Sequence, residues 1–145
     1  MKPTLLFWLS TSLLASISSA AYLPHFGGKF VHPGALHSAS DISRAKKHVQ
    51  SKEEPWYRAY QHLANGTYAQ PTWRPDFKTV IVRGEPDPST NLTQNYPSAY
   101  RAAHSAYQLA LRWLITDNAT FADAAIANLD GWSSTLEDIN GNADM

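Results

Sequence analysis

The sequence contains no cysteine, and neither sign of charge is in excess, because 12 Lys and Arg residues balance 12 Asp and Glu residues. The lack of cysteine excludes disulfide bonds. The fold must therefore be stabilised by packing within these residues, or by packing against further segments of chain. The even charge, without a basic tract, gives no electrostatic support for binding to nucleic acid or to a membrane surface. A partner held by a few local charges fits this composition better.

Long apolar runs are also absent, apart from one at the N-terminus. Lys2 gives a basic start, residues 5–15 contain a short apolar core, and Ser18-Ser19-Ala20 places small residues where a signal peptidase reads them. This arrangement is typical of a secretory signal. It predicts that residues 1–20 are a signal peptide and that residues 21–145 form the mature chain.

A membrane anchor is the alternative interpretation of the same run. Polar residues at positions 10–12 interrupt it, and it is shorter than the roughly 20 apolar residues that a spanning helix needs. We therefore expect cleavage, an extracellular location and no membrane contact after the signal is removed. Three Asn-x-Thr sequons, at Asn65, Asn91 and Asn118, agree with a secretory route and are predicted glycosylation sites on surface turns.

Helical periodicity predicts four helices, grouped as two αα-hairpins. Ser38 with Asp41 forms a capping box that begins the first helix, which ends near Ser51. Pro55 lies in the first turn of the second helix, and Asn65-Gly66 ends it. The third helix is predicted from Pro97 to about Thr116, and the fourth from Thr120 to about Leu136.

A long irregular loop, residues 67–96, separates the two hairpins. Four prolines interrupt it, and only Thr79–Val82 has the pattern of a strand. Loops of this length in a small domain are usually functional or disordered, and the aromatic residues Trp73, Phe77 and Tyr96 argue against disorder. The fold class predicted from the sequence is therefore all-α, built of αα-hairpins with a long irregular loop between them.

The last two helices are more apolar than a small domain can bury. Apolar residues recur at three- and four-residue steps from Tyr100 to Leu114, and they surround much of the fourth helix. This pattern predicts burial on more than one side. Residues 21–145 supply few elements for that burial, so the sequence is interpreted as part of a larger fold.

No catalytic motif is present in the sequence, and no catalytic residue is assigned. His32 and His37 flank a turn and could pair on a metal ion, but no third ligand accompanies them, so neither a metal nor another cofactor is expected. Glu53-Glu54 and Glu137-Asp138 are interpreted as acids at helix ends rather than as a hydrolytic pair.

One polar segment could line a binding groove. Gln94-Asn95-Tyr96 places two amides and a phenol just before the third helix, whose first turns carry Arg101 and His104. The alternative is that Tyr96 packs, Asn95 caps the helix and Arg101 is solvated. The sequence favours neither interpretation over the other.

Seven short blocks resemble, in order and spacing, proteins of the alginate lyase domain family, within the chondroitin AC/alginate lyase superfamily and closest to its glucuronan lyases. The blocks are His32 to Ser38, Glu54 to Trp56, Val82 to Gly84, Gln94 to Tyr96, Ala110 to Trp113, Leu129 to Leu136 and Gly141 to Asp144. The blocks are distributed along nearly all of the chain after the signal peptide.

The resemblance implies the N-terminal portion of an (α/α) toroid and β-elimination at a uronic acid. In that reaction a Tyr or His removes the C5 proton, a Tyr protonates the leaving oxygen, and amides, imidazole or Arg stabilise the enolate-like charge. The expected partner is an acidic polysaccharide, a uronan. The family's catalytic segments lie further along the chain, so this truncated portion is expected to be inactive by itself. The resemblance carries over only a cleft wall of Gln94, Asn95, Tyr96, Asn142 and Asp144.

Three rival interpretations stay open. The chain could be a non-catalytic secreted carbohydrate-binding protein that uses Trp73, Tyr96 and Trp132, part of a glycoside hydrolase with a helical toroid, or a non-functional remnant of a broken gene. The oligomeric state and the identity of the uronan are not determined by the sequence.

Overall fold

The computed structural model describes residues 36–84 and 93–141. The predicted signal peptide, residues 1–20, lies outside these ranges, as do three of the predicted site residues, Asn91, Asn142 and Asp144. None of the described helices is both long enough and apolar enough to cross a membrane.

Helix α1, Ala39–Gln50, begins where the capping box predicts. The Ser38 hydroxyl accepts a hydrogen bond from the Asp41 amide, and the Asp41 carboxylate accepts one from the Ser38 amide. Arg44 adds a 2.6 Å ion pair with Asp41 one turn further on. Because the capping box satisfies two amides that lack a partner within the helix, it determines the first residue of α1.

The capping box also shifts the pKa of Asp41, and a titration can test this shift. Hydrogen bonds from the Ser38 hydroxyl and amide, with the Arg44 charge, lower the pKa of Asp41 from 3.8 to about 2. Its contribution to stability is therefore complete above pH 3.8 and is lost as the pH falls through about 2. We expect Ser38→Ala to raise the pKa of Asp41 toward 3.8, because that substitution removes the largest cause.

The measurement is an NMR titration of the Asp41 carboxyl carbon between pH 5 and pH 1. Ser43→Ala, an exposed serine on the same helix, is the matched control and should leave the titration of Asp41 where it is in the unmodified chain. A midpoint that Ser38→Ala does not move would contradict the assignment of the shift to the capping box.

Helix α2, Trp56–Asn65, packs against α1 through one aromatic contact near their junction. The ring centroids of His48 and Trp56 are 5.1 Å apart, and His48 Nδ1 lies 2.7 Å from Glu53 Oε2. The helix ends at Gly66, which is extended, as the Asn65-Gly66 pair predicts. Pro55 precedes the first helical residue instead of lying within the first turn.

A short 3₁₀ helix, Thr67–Ala69, follows and is attached to the rest of the fold by an arginine. Arg112 donates from Nη1 to the Ala69 carbonyl oxygen at 2.7 Å, and its guanidinium lies 3.8 Å from the centroid of the Phe121 ring. Ala69 is fully buried. The first part of the predicted loop is therefore packed against the helices.

Helices α3, Pro97–Thr116, and α4, Ala119–Thr135, form the αα-hairpin that the sequence predicts. Asp117, at a φ of 57°, makes the turn, and Asn118 Oδ1 accepts from the Thr120 amide at 3.0 Å. Asp117 also pairs with Lys46, which connects the turn to α1. The buried cluster between the two helices consists of Leu109, Phe121 and Ala125.

The buried face of α3 differs from the stripe that periodicity indicates. The most buried residues are Ala102, Ser105, Ala106 and Leu109, whereas the stripe beginning at Tyr100 lies largely toward solvent. Small side chains form the contact face because they let α4 approach α3 closely. The larger Tyr, Trp and Leu residues are then left at its margins.

Two three-residue strands complete the described chain and form a parallel pair. Strand β1, Val80–Val82, is the predicted strand-like segment, whereas β2, Asp138–Asn140, was not predicted. In β1, Ile81 and Val82 are buried. The described chain is thus mostly helical, in agreement with an all-α class, with a small sheet that joins the loop to the end of α4.

Candidate functional site

The most distinctive exposed feature is a row of three rings along α3, which we call the aromatic row: Tyr96, Tyr100 and His104. They are four residues apart, so they project from one side of the helix. Their ring centroids are 6.3 Å apart for Tyr96 and Tyr100, and 5.4 Å apart for Tyr100 and His104. Tyr96 is 36% and Tyr100 45% exposed. The row therefore presents flat apolar surface together with polar ring atoms.

A positive charge lies at the start of this row. The Arg83 guanidinium carbon is 5.7 Å from the centroid of the Tyr96 ring, at a distance typical of a cation–π contact. Arg83 follows β1 directly, and its amide donates to the Asn140 carbonyl oxygen at 3.1 Å. The small sheet thus fixes the backbone of Arg83 beside the aromatic row.

The three described residues of the predicted cleft wall have different roles. Asn95 Oδ1 accepts from the Val82 amide at 2.7 Å, and its Nδ2 donates to the Val80 carbonyl oxygen at 2.9 Å. Its amide therefore completes the edge of β1 and does not cap α3, whose N-cap, Tyr96, has no side-chain hydrogen bond. Gln94 is exposed and donates to the Gly84 carbonyl oxygen at 2.8 Å.

Tyr96 is the member of that segment that belongs to the aromatic row, and the structure adds two residues that the sequence analysis did not select. Tyr100 could have been found, because it is four residues from both Tyr96 and His104. Arg83 could not, since only the folded sheet brings it to Tyr96. Arg101, by contrast, is exposed without a described contact to the row.

The tryptophans proposed as sugar platforms are used mainly for packing. Trp73 lies edge-on to Tyr68, with ring centroids 5.2 Å apart, and Trp132 lies edge-on to Phe77 at 5.6 Å. Both are partly buried, and Trp132 Nε1 is buried without a hydrogen-bond partner among the described residues. Both tryptophans are less exposed than Tyr100, which is 45% exposed.

His37 is the described member of the histidine pair considered for a metal ion. It stacks on Tyr107 at 5.9 Å between centroids, and its Nε2 is hydrogen-bonded to the Tyr107 hydroxyl. His32 lies outside the described residues. Within residues 36–84 and 93–141, no three His, Cys, Asp or Glu side chains come close enough together to hold a metal ion.

The two described sequons differ in what their asparagines do. Asn65 is exposed and is the last residue of α2, immediately before the extended Gly66. Asn118 is also exposed, but its side-chain oxygen caps α4 by accepting from Thr120. Glycosylation at either position stays a prediction.

A second feature is an apolar groove between α3 and α4, which we call the α3/α4 groove. Its main part has a volume of about 550 Å³, and a smaller part of about 230 Å³ continues toward Leu136. Among the described residues, no charged side chain lines either part. The main part is lined by Ala103, Ala106, Tyr107, Ala110 and Trp113 from α3, and by Ala122, Ala125, Ile126 and Leu129 from α4.

Two surfaces of the described chain could therefore take a partner, and they differ in chemistry. The aromatic row with Arg83 suits a polar, negatively charged ligand that has flat faces, whereas the α3/α4 groove suits apolar side chains. Comparison with models of known protein families, with curated proteins and with solved structures found no match.

Proposed function

We propose that this chain binds a uronic-acid-containing polysaccharide at the aromatic row and Arg83, as the front part of a secreted polysaccharide-lyase-like protein. The observation that carries the proposal is the arrangement of Tyr96, Tyr100 and His104 in one exposed line, with the Arg83 guanidinium at its start. The ligand class comes from the family resemblance, and the chemistry of these four side chains supports it.

A uronan has two features that match the site. The C–H face of each sugar ring packs on an exposed aromatic face, which is the large amphipathic surface that Tyr supplies. Each sugar also carries a carboxylate, with which Arg forms a paired, charge-assisted contact.

Chain cleavage is proposed only for a longer protein of this kind. β-Elimination needs a neutralised carboxylate, a base for the C5 proton and an acid for the leaving oxygen. No segment of this sequence matches the family's catalytic segments, so no catalytic role is assigned to Tyr100 or His104. Binding without cleavage is the expected behaviour of residues 1–145.

The proposed architecture is the beginning of an (α/α) toroid. Support comes from two consecutive helix pairs, α1 with α2 and α3 with α4, and from an apolar α3/α4 groove of the kind that a neighbouring hairpin covers. Secretion is part of the same proposal, and it rests on the signal-like N-terminus and the three sequons.

A non-catalytic carbohydrate-binding protein is the second candidate. The exposed position of the aromatic row on α3 favours it, because a surface row can bind a polymer without a closed cleft. Such a protein would use Tyr96 and Tyr100 in place of Trp73 and Trp132, which are engaged in packing. Release of unsaturated sugars by a longer form of the protein would exclude this candidate.

The test is isothermal titration of the chain with polyglucuronate and with a neutral glucan of the same length. We expect binding of the acidic polymer only, and at least a tenfold loss with Arg83→Gln, roughly the effect of removing one charge-assisted contact. Tyr100→Ala should weaken binding by a similar factor through the lost ring face.

Arg58→Gln is the matched control, because Arg58 is an exposed arginine on α2, away from the aromatic row. It should leave the affinity as it is in the unmodified chain. Equal losses of affinity with Arg83→Gln and Arg58→Gln would mean that only the overall charge matters. The assignment of the binding site to Arg83 would then be wrong. Formation of unsaturated products by the 145-residue chain would overturn the expectation that it is inactive.

A further inference from the structure

We propose that Gly141 is a positioning residue of the binding site, an inference that rests on the proposed uronan binding at Arg83 and the aromatic row. Because Gly141 has no side chain, the end of the small sheet can hold the backbone of Arg83 where its guanidinium meets the Tyr96 ring. Gly141 acts through Arg83 and is assigned no ligand contact of its own.

Gly141 lies directly against the backbone of Arg83. A Cβ atom at position 141 would be 2.1 Å from the Arg83 carbonyl oxygen, 3.0 Å from its carbonyl carbon and 3.3 Å from its amide nitrogen. All three distances are shorter than the roughly 3.5 Å of an ordinary contact between non-bonded carbon atoms. The φ of Gly141 is 101°, a conformation that glycine adopts readily and that residues with a Cβ rarely adopt. Position 141 therefore disfavours a side chain for two independent reasons.

The main chain of Arg83 is fixed on both sides of the residue. Its amide donates to the Asn140 carbonyl oxygen, so Asn140 and Gly141 contact the amide and the carbonyl group of the same residue. Gly84, with a φ of 80°, follows Arg83, and the Gly84 carbonyl oxygen accepts from Gln94 Nε2. Arg83 thus has an anchored backbone, although its side chain is exposed.

Tyr96 is attached to the same strand, β1. The amides of Asn95 and Tyr96 both donate to the Val82 carbonyl oxygen at 3.1 Å. Val82 is fully buried and directly precedes Arg83. Main-chain hydrogen bonds therefore determine the separation between the backbones of Arg83 and Tyr96, and the contact between guanidinium and ring depends on that separation.

This anchoring matters for affinity because an ordered guanidinium loses less conformational freedom when it pairs with a carboxylate. Relieving the contact of 2.1 Å that a methyl group at position 141 would make requires a displacement of about 1 Å. Binding sites tolerate displacements of only about 0.5 Å. A side chain at position 141 should therefore move Arg83 out of its productive position beside Tyr96.

The experiment is a double-mutant cycle of Gly141→Ala and Arg83→Gln, measured by isothermal titration of the full chain with polyglucuronate. We expect Gly141→Ala to weaken binding about fivefold or more, approaching the roughly tenfold loss with Arg83→Gln. In the Arg83→Gln background, Gly141→Ala should cause no further loss, because the residue through which Gly141 acts has been removed. A general disturbance of the fold would instead lower the affinity by the same factor in both backgrounds.

Ile139→Ala is the matched control, because Ile139 lies on β2 two residues before Gly141 and is 70% exposed. It should bind polyglucuronate as tightly as the unmodified chain does. Both variants should keep the helical circular dichroism, since positions 139 and 141 follow the last helix.

NMR gives a second measurement that needs no ligand. In the unmodified chain the Tyr96 ring should shift the Arg83 Nε–H resonance upfield of its position in Tyr96→Leu, because the guanidinium lies over the ring. Gly141→Ala should remove most of this shift, and Ile139→Ala should preserve it.

Three outcomes would overturn the inference: an Arg83 resonance that Gly141→Ala does not move, equal losses of affinity in the two backgrounds, or a loss of helical structure in Gly141→Ala. If the unmodified chain does not bind polyglucuronate, the proposed function is wrong. The NMR shift then decides by itself whether Gly141 positions Arg83 against Tyr96.

Discussion

Replacing Gly131 by alanine is expected to destabilise the protein by about 2–3 kcal/mol, although helix propensity by itself predicts stabilisation of about 1 kcal/mol. The Phe77 ring lies directly against Gly131 of α4. A Cβ atom at position 131 would be 2.1 Å from Phe77 Cζ and 2.6 Å from both Cε atoms. Phe77 cannot easily move aside because its ring also contacts Trp132. Overpacking therefore outweighs propensity.

Urea unfolding of Gly131→Ala checks this prediction, and a second substitution checks its cause. Phe77→Leu in the Gly131→Ala background should recover part of the lost stability, because a smaller side chain leaves room for the new methyl group. Ala127→Gly, at an exposed position of α4, calibrates propensity and should cost about 1 kcal/mol. If Gly131→Ala is more stable than the unmodified chain, the placement of Phe77 on α4 is wrong.

The second large effect is expected at a buried polar pair between α3 and α4. Asn128 is 2% exposed and donates from Nδ2 to the Oγ of the fully buried Ser105 at 3.0 Å. Asn128→Ala removes this bond and leaves a buried hydroxyl with one partner fewer, which costs about 2 kcal/mol. The loss is measured as the change in the free energy of unfolding in urea.

A double-mutant cycle separates the hydrogen bond from the lost packing. Ser105→Ala alone leaves the Asn128 amide buried without this partner, whereas the double variant removes both polar groups. The double variant should therefore lose about 1 kcal/mol less than the two single losses together. Ser134→Ala, at an exposed position of α4, is the control and should change stability by less than about 0.5 kcal/mol. Strictly additive losses would mean that Ser105 and Asn128 are not coupled.

The helix ends could be predicted because their signals are local. The Ser38–Asp41 capping box begins α1. Pro97 occupies the first position of α3, which its fixed φ and its missing amide proton favour. The start of α4 illustrates the same rule, since Asn118 both follows the turn and caps the helix. Each of these signals acts over three or four residues, which is the range within which backbone amides find a side-chain partner.

The candidate site was predictable only in part, because its members come from distant segments. Tyr96 was predicted, and Tyr100 follows from helical spacing. Arg83 reaches Tyr96 through the pairing of β1 with β2, and the segment from Asp138 to Asn140 carries no strand pattern of its own. The role of Asn95 was likewise hidden, because an amide that caps a helix and one that completes a strand look the same in a sequence.

The sequence by itself determined the four helices, the turn between α3 and α4, and the excess of apolar surface on that hairpin. Tertiary structure decided which side of each helix is buried. Periodicity identifies a helix and an apolar stripe, but the buried side depends on which neighbour approaches most closely. Alanines at positions 102 and 106 allow the close contact, so Tyr100 and Tyr107 are left at the surface. The exposed aromatic row and the apolar groove both result from that arrangement.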